Sequence, residues 1–196
     1  MFEGYKHHIF ISYSRSGDVP DWLHNHFLPV LSNRLEAVLD EDPQIFVDRD
    51  IPYGAEWPDA LADALRHSCH LLAVWSPRYF RSSWCLAEWR TMLEREKALG
   101  LRPGGDPGLV YPVVFSDGEH FPEEAKKMQY RTDLRDFAYP YPQFRTSEKY
   151  LNFHDRMVGI ANDIKDRLAR TPKWDGSWTE VRPEPEPLGR QRFQRL

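Results

Sequence analysis

A doubly wound α/β domain is the fold class this sequence predicts, and two observations carry it. Short runs that are apolar on both faces recur at residues 9–13 (IFISY), 44–48 (QIFVD), 70–75 (HLLAVW) and 109–115 (LVYPVVF). Such runs suit strands of a parallel sheet that is covered on both sides. Stretches with helical spacing separate or follow them, at 19–40, 56–68, 83–99 and 147–170. Strands alternating with helices in this way wind into a sheet of about five parallel strands with helices on both faces.

Each element has its own signal. The first strand ends in SYSRSGD, whose polar residues begin the turn into the helix over 19–40. The second ends in DRDIPYGAEW, which leads into the helix over 56–68. The third ends in SPRYFRSSW and runs directly into the helix over 83–99. Ser83 is the expected cap of that helix. On its wheel Leu86, Trp89 and Leu93 form an apolar stripe flanked by Cys85 and Met92, which is expected to be the core face. Trp84 and Glu88, four residues apart, share the other side with Thr91 and Arg95. The glycine and proline cluster at 100–108 ends the helix in a loop. The fifth strand is expected at 135–139 (RDFAY), before the last helix.

The 196 residues suffice for one domain over 1–170, long enough to bury roughly 70% of its unfolded surface, with a tail over 171–196. Alternating Pro183, Pro185 and Pro187 favour an extended segment in that tail. Two readings of it stay open: a flexible linker, or a segment that docks on the same domain or a neighbour through Trp174, Trp178 and Phe193 with Arg190, Arg192 and Arg195. Two cysteines, Cys69 and Cys85, are too few for a disulfide framework and read as buried thiols. With no export signal or apolar run long enough to span a bilayer, the expectation is a cytoplasmic protein without a membrane partner. A net charge of −4 with interleaved signs disfavours nucleic acid.

In open α/β sheets, ligands bind beyond the carboxyl ends of the strands, near the point where strand order reverses. The loops there carry Ser14 and Arg15, then Asp48, Arg49, Asp50, Tyr53 and Trp57, then the approach to Glu88. Neither a G-x-G-x-x-G turn nor a glycine-rich loop ending in Lys-Ser or Lys-Thr is present. Ser76 stands where a phosphoacceptor aspartate would be needed after the third strand, and SYSRSG only loosely matches a flavin phosphate loop. No metal site is expected: His24 and His26 are two apart, His67 and His70 straddle a helix end, and most histidines read as surface or capping residues. The plain reading of Glu88 is a solvated residue paired with Arg95 or Arg15.

Over roughly residues 7–170 the chain resembles the Toll/interleukin-1 receptor (TIR) domain family, of the bacterial NAD-cleaving type. HHIFISYSRSGD resembles the family's first strand motif, DRDIPYGAEW its second-box loop, and SPRYFRSSWCLAEW the approach to its third helix. Such members have a flavodoxin-like scaffold and cleave NAD+ with a glutamate four residues after a tryptophan, a pattern that Trp84 and Glu88 match. The resemblance implies Glu88 as the catalytic group. It implies Trp84, Arg15, Ser14, Asp48, Tyr53 and Trp57 around the substrate, and Ile51, Pro52 and Gly54 in an assembly loop. Tyr53 departs from the proline usual in receptor members, and their Phe-Trp pair is absent from the last helix.

The implied function is an NAD+ glycohydrolase giving nicotinamide and ADP-ribose or a cyclic ADP-ribose-type signal, in bacterial immunity against phage. NAD+ is the substrate, no cofactor is needed, and partners are other TIR domains. The alternative is a noncatalytic module that signals through contacts between TIR domains. One carboxylate suffices chemically because nicotinamide is already a cationic leaving group, which removes the need for the second, acidic carboxyl of ordinary glycosidases. The helix N-terminus is expected to help keep that carboxylate ionised.

Overall fold

The computed structural model describes residues 3–48, 57–101, 108–119, 121–128, 132–179 and 181. Five strands form one parallel sheet: β1 (His7–Tyr13), β2 (Ile45–Val47), β3 (Ser68–Trp75), β4 (Val110–Val114) and β5 (Thr132–Asp133), in the order β2-β1-β3-β4-β5. This is the expected flavodoxin-like α/β arrangement. Register is pinned by apolar pairs: Phe10 lies beside Phe46 of β2 and Leu71 of β3, and Leu72 beside Tyr111 of β4.

The strands bury two faces. Ile9, Ile11 and Tyr13 of β1 pack into one core with Trp22, Leu31 and the last helix, α6 (Glu148–Leu168). Phe10 points the other way, into a core with Leu65 of α3 (Trp57–Arg66) and Trp89 of α4 (Ser83–Ala98). This alternation of side chains across β1 is why residues 9–13 are apolar on both faces except at Ser12.

The first helical run joins α1 (Val19–Trp22), a π-helical turn (Leu23–Phe27) and α2 (Leu28–Glu36). Pro29 explains the interruption: it has no N–H to donate to the carbonyl of Asn25, one α-turn earlier. The Arg145 guanidinium donates to that carbonyl instead, at 2.5 Å.

Two expected boundaries move. Residues 135–139 do not form the fifth strand; β5 is the shorter Thr132–Asp133 pairing with Val113 and Val114. The Asp133 carboxylate accepts the Arg135 N–H at 3.0 Å and folds Arg135–Phe137 into a 3-10 turn, so the apolar residues after it pack as a turn. Helix α4 is capped by Ser82 rather than Ser83, through an N–H bond from Cys85 to the Ser82 hydroxyl at 3.3 Å.

His8, His26 and His70 are buried, whereas His7, His24, His67 and His154 are partly exposed. His8 Nδ1 accepts the Gln44 N–H at 2.9 Å and so ties β1 to the start of β2. Both cysteines are free and buried. After α6 the chain returns to the domain, where Trp174 stacks on His67 and Trp178 lies beside Tyr5. Among the described residues no helix is long and apolar enough to cross a membrane.

Candidate active site

Strand order reverses at β1, which has β2 on one side and β3 on the other. The crevice beyond the carboxyl ends of β1 and β3 is therefore the topological switch point. A cavity of about 290 Å³ opens there, lined by Ser14, Arg15, Asp48, Trp84 and Glu88. Residues from three separate loops, as the sequence predicts, converge on one space.

The wheel of α4 is corrected by the structure. Cys85, Trp89 and Met92 are buried as expected, but Leu86 and Leu93 are only partly so. The side carrying Glu88, Thr91 and Arg95 is buried too. Glu88 is 8% exposed and is not a solvated residue paired with Arg95. The Arg95 guanidinium instead donates to the carbonyls of Ser68, Leu65 and Arg66.

Ser12 is the partner of Glu88. Its hydroxyl donates to Glu88 Oε2 at 2.5 Å, and the Tyr79 hydroxyl lies 2.9 Å from the same Ser12 oxygen. Ser12 stands two positions after Phe10 and so faces the same layer as α4. Ser12 and Tyr79 are missed by loop-based reasoning. The available signal was a lone hydroxyl in the inward alternation of an apolar strand.

Asp48 organises the mouth. It accepts the Tyr13 hydroxyl at 2.8 Å and pairs with the Arg15 Nε at 2.6 Å. Ser14 is buried and its hydroxyl accepts the Ser16 N–H at 3.4 Å, shaping the turn after β1. Arg78 and Arg81, also absent from the sequence-based set, add two guanidinium groups to the lining. Tyr53 and the assembly positions Ile51, Pro52 and Gly54 lie outside the described residues, as does the side chain of Trp57.

Burial pushes the Glu88 carboxyl up to about 8; the Ser12 bond opposes this, nearby Asp48 adds to it, and Arg15 opposes it. Loss of water around the carboxylate thus outweighs the help expected from the helix N-terminus, whose partial charge falls off beyond the first turn. Burial also pushes the Cys85 thiol up to about 12, so its sulfur is not a ready nucleophile. Among the described residues no group of three or more His, Cys, Asp or Glu side chains converges to hold a metal.

The arrangement offers one poised carboxyl, an aromatic wall in Trp84 and cationic groups at the mouth. It suits a ligand with both a flat ring and negative charge.

A family model described as TIR domain matches residues 9–145. A disease resistance protein from Arabidopsis thaliana, RML1B, is 29% identical over 140 residues; the match covers 67% of this chain and 14% of that protein, so this chain spans about one seventh of its length. A solved TIR domain of the Toll-related receptor TRR-2 from Hydra magnipapillata aligns with a TM-score of 0.48 and 19% identity, over 82% of this chain and 99% of that one. TIR domains of the activated Roq1 resistosome, which recognises the effector XopQ, align with a TM-score of 0.42 and 18% identity, over 84% of this chain and 96% of that one.

Proposed function

Because this chain belongs to the TIR domain family, we propose that it cleaves NAD+ at the nicotinamide–ribose bond with Glu88 as its catalytic residue. The observation that carries this reading is a single buried carboxyl, bonded to Ser12, at a cavity on the switch point of the sheet. Isolated carboxyls are rarely buried without a task, because desolvating the charge costs several kcal/mol.

The steps follow from the substrate. As the N-glycosidic bond breaks, its electron pair goes to the nicotinamide ring nitrogen, which turns from cation to neutral, and positive charge develops on the ribose. Ionised Glu88 accepts hydrogen bonds from the ribose hydroxyls and offsets that charge. Water adding at the anomeric carbon, with loss of a proton, gives ADP-ribose. Attack by a nitrogen of the same nucleotide gives a cyclic product.

Trp84 supplies a stacking face for a ring of the nucleotide. Arg78 and Arg81 suit its diphosphate, while Arg15, held by Asp48, borders the same space. A role in immunity, as a phage-triggered depletion or signalling enzyme in a bacterial cell, is the setting we propose. The disease-resistance role named for the plant relative supports it in kind.

Mass spectrometry of products after incubation with NAD+ tests the reading, with protein dilute and concentrated. Nicotinamide with ADP-ribose or its cyclic form is expected. Glu88→Ala is expected to lower turnover about 100- to 1,000-fold. Intact NAD+ in every form of the protein, or undiminished turnover by the variant, overturns it.

A further inference from the structure

After α6, residues between Pro172 and Trp178, and Val181, pack back onto the domain. The Tyr5 hydroxyl donates to the Pro172 carbonyl at 3.1 Å. Trp174 stacks on His67 at 5.2 Å between ring centroids, and its Nε1 donates to the Arg66 carbonyl at 3.3 Å. Trp178 lies over the Arg95 guanidinium, 4.3 Å from its carbon to the ring centroid. Finally the Val181 N–H donates to the Thr91 hydroxyl at 2.8 Å.

Two of these contacts fall on α4, and both fall on the side that carries Glu88. Thr91 follows Glu88 by three residues and Arg95 by seven, so all three share one face of the helix. Thr91 is 1% exposed. Its hydroxyl proton is donated to the Ala87 carbonyl, also at 2.8 Å, so its oxygen accepts from Val181 while its proton ties down the turn immediately before Glu88. A chain of hydrogen bonds thus runs from the strap to the backbone of the helical turn that presents the carboxyl.

We propose that residues 171–179 together with Val181 act as a strap that positions Glu88, with Thr91 as the positioning residue that carries the hold from Val181 to α4. The catalytic consequence rests on the NAD+-cleaving reading given above; the hold on α4 does not. The groups around Glu88 are Ser12 of β1, Tyr79 of the turn after β3, Cys85 of α4 itself, and Arg15 and Asp48 at the strand ends. None of them belongs to the strap, so the strap acts only by fixing where α4 lies against β1. Releasing it lets α4 shift away from Ser12 and admits water to the carboxyl. Since burial is the main cause of its raised value, the ionisation midpoint of Glu88 then falls.

Thr91→Val removes the acceptor for Val181 and the donor to Ala87 while keeping the side-chain shape; Thr91→Ser keeps both bonds. Trp178→Ala removes the strap's second contact on α4, the ring against Arg95. For Thr91→Val and Trp178→Ala we expect faster amide hydrogen exchange along α4, a kcat about tenfold lower on the plateau above the wild-type midpoint with KM nearly unchanged, and a pH midpoint lower than in the wild type. Thr91→Ser should restore all three. Unchanged α4 exchange in both loosening variants overturns the strap. So does an unchanged kcat and midpoint in a protein that cleaves NAD+. Faster α4 exchange in the variants of a chain whose wild type leaves NAD+ intact supports the strap and removes the catalytic reading instead.

Discussion

At the scale of single residues, the proposed NAD+ cleavage turns on the protonation of Glu88. Its carboxyl is pushed up to about 8, so in the unliganded protein at neutral pH the acid form prevails and the anion that the proposed reaction uses is the minor one. The sign follows directly: the anion increases with pH and saturates above the midpoint. The pH profile of kcat/KM, which reports the free enzyme, is expected to climb through pH 7 and level off above about 8. Ser12 donates to the anion and so favours it. In Ser12→Ala the midpoint is expected to move up and activity at pH 7 to fall, by about tenfold. A profile flat from pH 6 to 9 in the wild type, or a downward midpoint in the variant, would contradict this account.

Among elements, α4 and the segment after α6 hold each other. The entry to β1 shares in this: Gly4 has φ +88, and a methyl group there would meet the Trp174 ring at 2.6 Å. Gly4→Ala therefore meets both a left-handed backbone and a clash. Urea denaturation is expected to show a loss of about 1–3 kcal/mol, with the strap loosened before the sheet melts. An unchanged midpoint would mean that the Trp174 contact is dispensable. The helical run Val19–Glu36 shows the same interdependence at its π-helical turn, where Arg145 takes the carbonyl that Pro29 cannot satisfy.

For the whole molecule, the site gathers parts from β1, from the end of β2, from the turn after β3 and from α4 around the one place where strand order reverses. Whether a second copy completes that site is a separate question with its own measurement. Self-association, which the family resemblance implies, is expected to appear as an oligomer in light scattering. NAD+ cleavage per milligram should rise with protein concentration. A monomer whose specific activity is independent of concentration would rule this assembly out.

The periodicity and order of apolar runs determined the sheet, its parallel sense and its helices, because these follow from spacings of two and of 3.6 residues that the chain carries locally. The pairing of Trp84 with Glu88, and the gathering of Ser14, Arg15 and Asp48 at one rim, were legible for the same reason: strand ends in such a fold lie together. Tertiary structure alone decided what Glu88 is. Its partner Ser12 lies 76 residues away in sequence, and no local pattern specifies that contact. The wheel of α4 grouped Glu88, Thr91 and Arg95 on one side, yet a helical wheel does not say what covers each side. Here the polar-looking side is covered by β1 beneath Glu88 and by the returning chain over Thr91 and Arg95. That covering removes water, and the absence of water around the carboxyl, rather than its position in the helix, sets its charge.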